Sequence, residues 1–162
     1  MDILTVEPVV MQLADALRHR GWRMATAESC TGGLIAAACT AVAGSSDWFE
    51  RGFVTYSNEA KTGLLGVPQT LIAAHGAVSE EVARAMALGA LQHAPVQLSV
   101  AVTGIAGPGG AVPGKPVGTV WLAWATLQGV QAELLQLGGD RSAVRSATVH
   151  AALQRLLQAA RG

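Results

Sequence analysis

Histidine is scarce in this chain of 162 residues, and none of the four sits where a hydrolytic base is expected. His19, His75, His93 and His150 fall at the ends or faces of predicted helices. No Gly-x-Ser-x-Gly elbow occurs, so an α/β-hydrolase triad has no support. Cysteine is scarcer still: Cys30 and Cys39 stand nine positions apart with no histidine at ligand spacing. They form no zinc signature and read as reduced, mostly buried thiols of a cytosolic protein. Charge is thin and balanced, with 11 basic and 11 acidic residues. That excludes a broad electrostatic nucleic-acid surface, which needs accumulated positive charge, but leaves room for a small anion held by one or two arginines. Polar or charged residues interrupt every apolar run well short of a membrane span. No basic segment precedes an apolar block at the N-terminus. The chain is expected to be soluble and cytoplasmic, with neither a membrane nor a nucleic-acid partner.

What is present is apolar and small. Hydrophobic residues make up 51% of the chain and aromatic ones only 4%, a composition suited to helices packed closely on a sheet. The length fits one domain with a real core, spanning residues 1–162. Low charge combined with high hydrophobicity points to a homo-oligomer; an Ala-rich monomer with small side chains is the alternative.

Periodicity and punctuation give an order of elements. Val10, Leu13 and Leu17 recur at helical spacing and Gly21 is a plausible stop. Residues 22–27 read as a strand, and Gly32-Gly33 opens a small-residue helix. A loop over 43–46 leads to a strand at 52–56. Ser57 caps a helix covering 61–65. Pro68 fits the first turn of a short helix ending near Gly76. Ser79 caps the next helix, with Glu80 and Glu81 in its first turn and Val82, Met86, Leu88 and Leu91 on its apolar stripe. Residues 97–103 form a buried strand. Residues 117–126 and 130–137 form two more, joined by a short glycine-containing turn that suggests an antiparallel hairpin. Asp140 caps a final helix with Val144, Val149, Leu153 and Leu156 inside. The order predicts a three-layer α/β/α domain on a mixed sheet with a C-terminal hairpin.

The loop following residue 103 carries Gly109-x-x-x-x-Gly114-Lys115, but Pro116 stands where a P-loop needs a hydroxyl for magnesium, and a strand follows where a helix is required. Nucleoside triphosphate hydrolysis is rejected on that basis. No Gly-x-Gly-x-x-Gly follows a strand, so a dinucleotide site is also unsupported. The loop still leaves a central strand at its end, and its glycines allow backbone N–H groups to approach a ligand.

Residues 26–66 hold the reactive groups: hydroxyls, one tyrosine and one lysine at the edges of apolar runs, with no histidine among them. That set fits a serine nucleophile assisted by lysine. Lys61 is the best base, provided that desolvation or positive charge lowers its pKa. Ser29, Ser46 and Ser57 compete for the nucleophile. Ser57 shares a helix face with Lys61 but is needed as a cap. Ser29 precedes a Gly-Gly turn after a strand. Ser46 lies in a loop before Trp48 and Phe49. Arg141 and Arg145, at i,i+4 on the last helix, can clamp a phosphate or carboxylate.

Six stretches occur in order with compatible spacing: residues 27–33 (AESCTGG), 44–46 (GSS), 52–61 (GFVTYSNEAK), 76–80 (GAVSE), 103–108 (TGIAGP) and 115–120 (KPVGTV). Together they resemble the CinA C-terminal domain family in its stand-alone form, over nearly the whole chain. The family's enzymes hydrolyse the carboxamide of nicotinamide mononucleotide to nicotinate mononucleotide and ammonia without a metal or other cofactor. The resemblance implies Ser46 as nucleophile, Lys61 as its base and Tyr56 as proton-relay partner. It further implies a nucleotide site lined by Ser29, Thr31, Gly32, Thr103, Gly104 and Gly107, with Arg141 or Arg145 meeting the phosphate or the carboxamide. Ser29 lies in a matching motif too, so the nucleophile stays open between the two serines. The rival expectation is a non-catalytic relative that binds a nucleotide or a partner protein.

Overall fold

The computed structural model describes residues 2–162, the Leu4 side chain excepted. After a 3-10 turn at Ile3–Thr5, helix α1 runs over Glu7–Arg20. Gly21, at φ 64°, closes it by donating to the carbonyls of the last turn. Trp22 belongs to that cap and not to the following strand. Its N–H donates to the Leu17 carbonyl at 2.9 Å, and the Arg20 guanidinium lies 3.9 Å from its ring centroid. Strand β1 therefore starts two residues later than the sequence suggests, at Met24–Glu28. The rest follows as α2 (Leu34–Thr40), β2 (Phe49–Val54), α3 (Asn58–Leu65), α4 (Gln69–His75), α5 (Glu80–Gln92), β3 (Leu98–Gly104), β4 (Thr119–Thr126), β5 (Gly129–Gln136) and α6 (Arg141–Arg161).

The sheet order is β2-β1-β3-β4-β5. β1 is parallel to both β2 and β3, and β4 and β5 add antiparallel. This is the mixed three-layer α/β arrangement that the order of elements predicts. α1, α2 and α6 enclose one core with the inward residues of β3 and β4, including Leu13, Leu98, Leu122 and Leu153. α5 covers the other face, where Val82, Met86 and Ala90 meet Ala27, Ala101 and Ala123. β2 begins three residues earlier than expected. Its Glu50 and Arg51 disguise it, and they are tolerated because β2 is an edge strand whose outer side is open to water. Buried Trp48 anchors its start.

Several caps form as expected. Ser57 accepts from the Ala60 N–H at 3.0 Å, Ser79 from Val82 and Asp140 from Ala143. Pro68 stands one position further out, as the extended residue before α4. The inner stripe of α5 is smaller than its leucines imply: Leu88 and Leu91 are half-buried while Gly89 and Ala90 face inward. The reason is α3. A Cβ on Gly89 would run into the Leu65 carbonyl oxygen, so this glycine lets α3, the helix carrying Lys61, seat against α5. Gly89→Ala is expected to cost about 3 kcal/mol through overpacking, a fall in Tm of roughly 6–12 °C. Thermal denaturation checks this, and an unchanged Tm would show that the two helices separate easily.

Candidate active site

Parallel strands end on a common edge, and ligand sites of α/β sheets gather at their carboxyl ends. Here the register pairs Glu28 with both Val54 and Val102, so whatever follows β1, β2 and β3 converges there. Ser29 follows β1 directly, and its N–H donates to the Val102 carbonyl at 3.1 Å. Thr55 follows β2, its N–H donating to the Glu28 carbonyl at 2.8 Å. Ser57 then starts α3, and one turn on, Lys61 points back beneath the strand ends. Lys61 is 2% exposed. Its Nζ lies 3.1 Å from Ser29 Oγ and donates to the Thr55 carbonyl at 3.0 Å. Burial pulls its pKa below the ordinary lysine value, and the charge that Cys30 can carry acts the other way. A protonated Lys61 would bring three N–H donors to two acceptors, whereas the neutral amine keeps a lone pair for the Ser29 hydroxyl. Burial shifts Lys61 towards the form that can act as a base, and the contact with Ser29 Oγ puts that form within reach of the hydroxyl.

The Ser29 turn is held from two sides. Gly32 and Gly33 take φ of 58° and 107°, conformations that suit glycine, and Gly32 donates to the Ser29 carbonyl at 3.0 Å. From α6, Arg145 donates through Nε to the Cys30 carbonyl at 3.1 Å and through Nη2 to the Thr31 carbonyl at 3.2 Å. Arg145 also borders an open cavity of about 700 Å³, lined further by Ala106, Pro108, Val117, Asp140 and Arg141. At its mouth Arg141 donates to the Gly107 carbonyl at 2.8 Å and to the Tyr56 hydroxyl at 2.9 Å. Among the described residues, no three His, Cys, Asp or Glu side chains gather as a metal site would require. Cys30 is buried beside Ser29, which pushes its thiol up to about 11, and burial also raises Cys39. Both stay protonated at neutral pH.

The other residues expected at the site lie apart from Lys61 or have their polar groups engaged elsewhere. Ser46 is not brought to Lys61. It sits in the 3-10 turn Ser45–Asp47 that precedes β2, held near the end of α1 by Arg18, which donates to the Gly44 carbonyl and pairs with Asp47. Lys61 serves the opposite end of β2, roughly 17–20 Å away at about 3.3 Å per strand residue. Tyr56 is 62% exposed and bonded to Arg141, so its hydroxyl does not bridge Ser29 and Lys61. Thr31 and Thr103 are buried with their hydroxyls spent on the framework, donating to Glu28 Oε1 at 2.6 Å and to the Ala77 carbonyl at 2.9 Å. Gly104 packs on Val120, where a Cβ would come within 2.6 Å of a methyl group. Sequence reasoning missed two contributors, the Thr55 carbonyl and the Glu28 carboxylate.

The model of the CinA C-terminal domain matches residues 6–160. The chain belongs to the CinA C-terminal domain family. Among its relatives in that family, nicotinamide-nucleotide amidohydrolase PncC of Pseudomonas putida is 53% identical over 158 residues, 98% of this chain and 98% of the relative. The protein of the same name from Escherichia coli is 53% identical over 148 residues, covering 91% of this chain and 90% of the relative. The crystal structure of competence/damage inducible protein CihA from Agrobacterium tumefaciens superposes with a TM-score of 0.92 at 45% identity, over 94% of each chain. The CinA fold thus extends over nearly all of the chain. No described helix is long and apolar enough to cross a membrane.

Proposed function

We propose that this chain hydrolyses the carboxamide of nicotinamide mononucleotide, giving nicotinate mononucleotide and ammonia, with Ser29 as nucleophile and Lys61 as general base. The observation that carries the assignment is the buried Lys61 amine 3.1 Å from Ser29 Oγ at the carboxyl edge of the sheet. The substrate follows from the names and similarity of the PncC relatives. Neutral Lys61 takes the Ser29 proton as Oγ attacks the amide carbon and the new C–O bond forms. The Ser29 and Gly32 N–H groups are already donated to the Val102 and Ser29 carbonyls, so the oxyanion would draw on other N–H groups of this turn, a contribution of about 3–4 kcal/mol per donor. Protonated Lys61 gives its proton to the amide nitrogen, the C–N bond breaks and ammonia leaves. Water then attacks the acyl ester with Lys61 again as base, and Ser29 regains its proton.

The cavity beside Arg145 has the volume of a small-molecule site, and two arginines at one wall suit the phosphate of a mononucleotide. Tyr56 acts with Arg141 at the mouth rather than as a proton relay. The exposed Val54, Tyr56 and Leu64 support a homo-oligomer. The buried protonated thiols suit a reducing, cytoplasmic setting.

The test is ammonia release from nicotinamide mononucleotide followed against pH. Below the depressed Lys61 pKa the amine holds its proton and cannot accept another. kcat/KM should therefore rise with pH and level off below the ordinary lysine value of about 10.4. A rate that climbs only near that value would mean Lys61 titrates as a solvated lysine, and no release at any pH would remove the amidase reading.

A further inference from the structure

Glu28 is the buried carboxylate that the chemistry above leaves unused. It ends β1 immediately before Ser29 and is 1% exposed. Its Oε1 accepts from the Thr31 hydroxyl at 2.6 Å and from the Ile35 N–H at 2.9 Å, and its Oε2 from the Ala36 N–H at 3.0 Å. Helix α2 has no side-chain cap of its own, because its N-cap position is Gly33. The acceptor that the first turn needs comes instead from a residue five positions upstream, across the loop that carries the nucleophile. One carboxylate thereby ties three points together: the end of β1, the middle of the turn at Thr31 and the start of α2.

We infer that Glu28 is a positioning residue for Ser29, fixing the turn so that Oγ stands over the Lys61 amine. The inference rests on the Ser29–Lys61 assignment. Its physical basis is the number and kind of acceptors. Three donors converge on the two oxygens, and only an ionised carboxylate offers acceptors alone at both. A glutamine in its place would keep one oxygen and, in either orientation, turn an NH₂ group towards the backbone N–H of Ile35 or Ala36, two donors face to face in a site closed to water. The turn would shift to relieve this. Ser29 is the residue with most to lose, because its contact with Lys61 depends on its own placement while Lys61 stays tied to the Thr55 carbonyl. The substrate cavity lies towards α6, and its arginines do not touch Glu28. Arg145 meets this turn through the Cys30 and Thr31 carbonyls, so binding should change too, but less than the chemical step.

The experiment is steady-state ammonia release from nicotinamide mononucleotide by Glu28→Gln, normalised to the folded fraction by circular dichroism. Ser29 sulfonylation by phenylmethylsulfonyl fluoride is measured in parallel. The expected result is a kcat about 10- to 100-fold lower with a smaller change in KM, and sulfonylation slowed to a degree similar to kcat. A folded variant with kcat within twofold of wild type, or with KM alone altered, overturns the inference. If Glu28→Gln does not fold, Thr31→Val decides. It removes one donor and leaves the α2 contacts, and is expected to lower kcat about fivefold; wild-type kcat there is equally fatal. Ser29→Ala, run alongside, separates the two ideas. Full activity in Ser29→Ala would bring down the assignment itself. Its loss, together with normal Glu28 and Thr31 variants, would bring down only the role of Glu28.

Discussion

Ser29→Ala should abolish ammonia release from nicotinamide mononucleotide, by at least about 10⁴-fold, while Ser46→Ala stays within about twofold of wild type. The size follows from covalent catalysis. Where nucleophile and base act as a unit, removing either costs on the order of 10⁶ in kcat, and what remains comes from oxyanion donors and binding. Ser29 Oγ is the hydroxyl within reach of the buried Lys61 amine, whereas Ser46 is an exposed residue at the far end of β2. Ser29 is half-buried and makes its framework contacts through the backbone, so alanine should fold normally. Ammonia assays on the three proteins, with circular dichroism as the folding control, read the result. A loss confined to Ser46→Ala would place the chemistry at the opposite edge of the sheet and leave the Ser29–Lys61 contact without a catalytic role.

That test bears on how the site could be read from sequence. Lys61 stood out for what surrounds it in the chain: no histidine competes, and the Ser57 cap fixes the helix phase that turns Lys61 inward. The choice between Ser29 and Ser46 was also partly legible. Ser29 follows a strand and Ser46 precedes one, and in a βαβ unit with parallel strands those positions fall on opposite edges. Lys61, following the second strand, belongs with Ser29. The family motifs contain both serines and so do not discriminate, whereas the topology favours the proposed Ser29. Tyr56 is hard to read for a related reason. A residue just beyond a strand end is near the site, yet its side-chain direction depends on a partner 85 positions away, Arg141. A hydroxyl in a motif reads as a ligand contact, yet those of Thr31 and Thr103 donate to a carboxylate and a backbone carbonyl that the sequence does not reveal. Glu28 is invisible in the sequence as a cap, since helix caps are sought next to the helix and this one reaches over a loop.

The fold was easier to read because its signals are local. Ser57, Ser79 and Asp140 each precede a helix and cap it. The two C-terminal strands meet across a tight turn. The errors arose where tertiary packing overrides local pattern: at Trp22, drawn into the α1 cap, and on β2, whose charged edge hides an extended strand.

Lys61→Met should lose activity as completely as Ser29→Ala, yet gain stability relative to wild type as the pH falls. In the folded protein burial holds the Lys61 pKa below its unfolded value. Between the folded pKa and about 10.4 the unfolded chain therefore binds the extra proton, and wild-type stability rises with pH across that window. Read downwards, the native state weakens as pH drops from about 10.4 to the folded pKa, and the loss is constant below it. Methionine of similar length carries no such penalty. It does leave the buried Thr55 carbonyl short of one donor, a cost of about 1–3 kcal/mol that is independent of pH. The sign of the net change at any one pH thus depends on two opposing contributions, but the slope depends on only one. The difference in Tm, variant minus wild type, should become steadily more positive from pH 10 down to the pH at which kcat/KM begins to fall. Differential scanning calorimetry of both proteins across that range supplies the numbers. A pH-independent difference would mean that Lys61 is as well solvated folded as unfolded. The same amine could then not be the neutral base that the reaction needs, so one thermal experiment bears on both the stability and the catalytic claim.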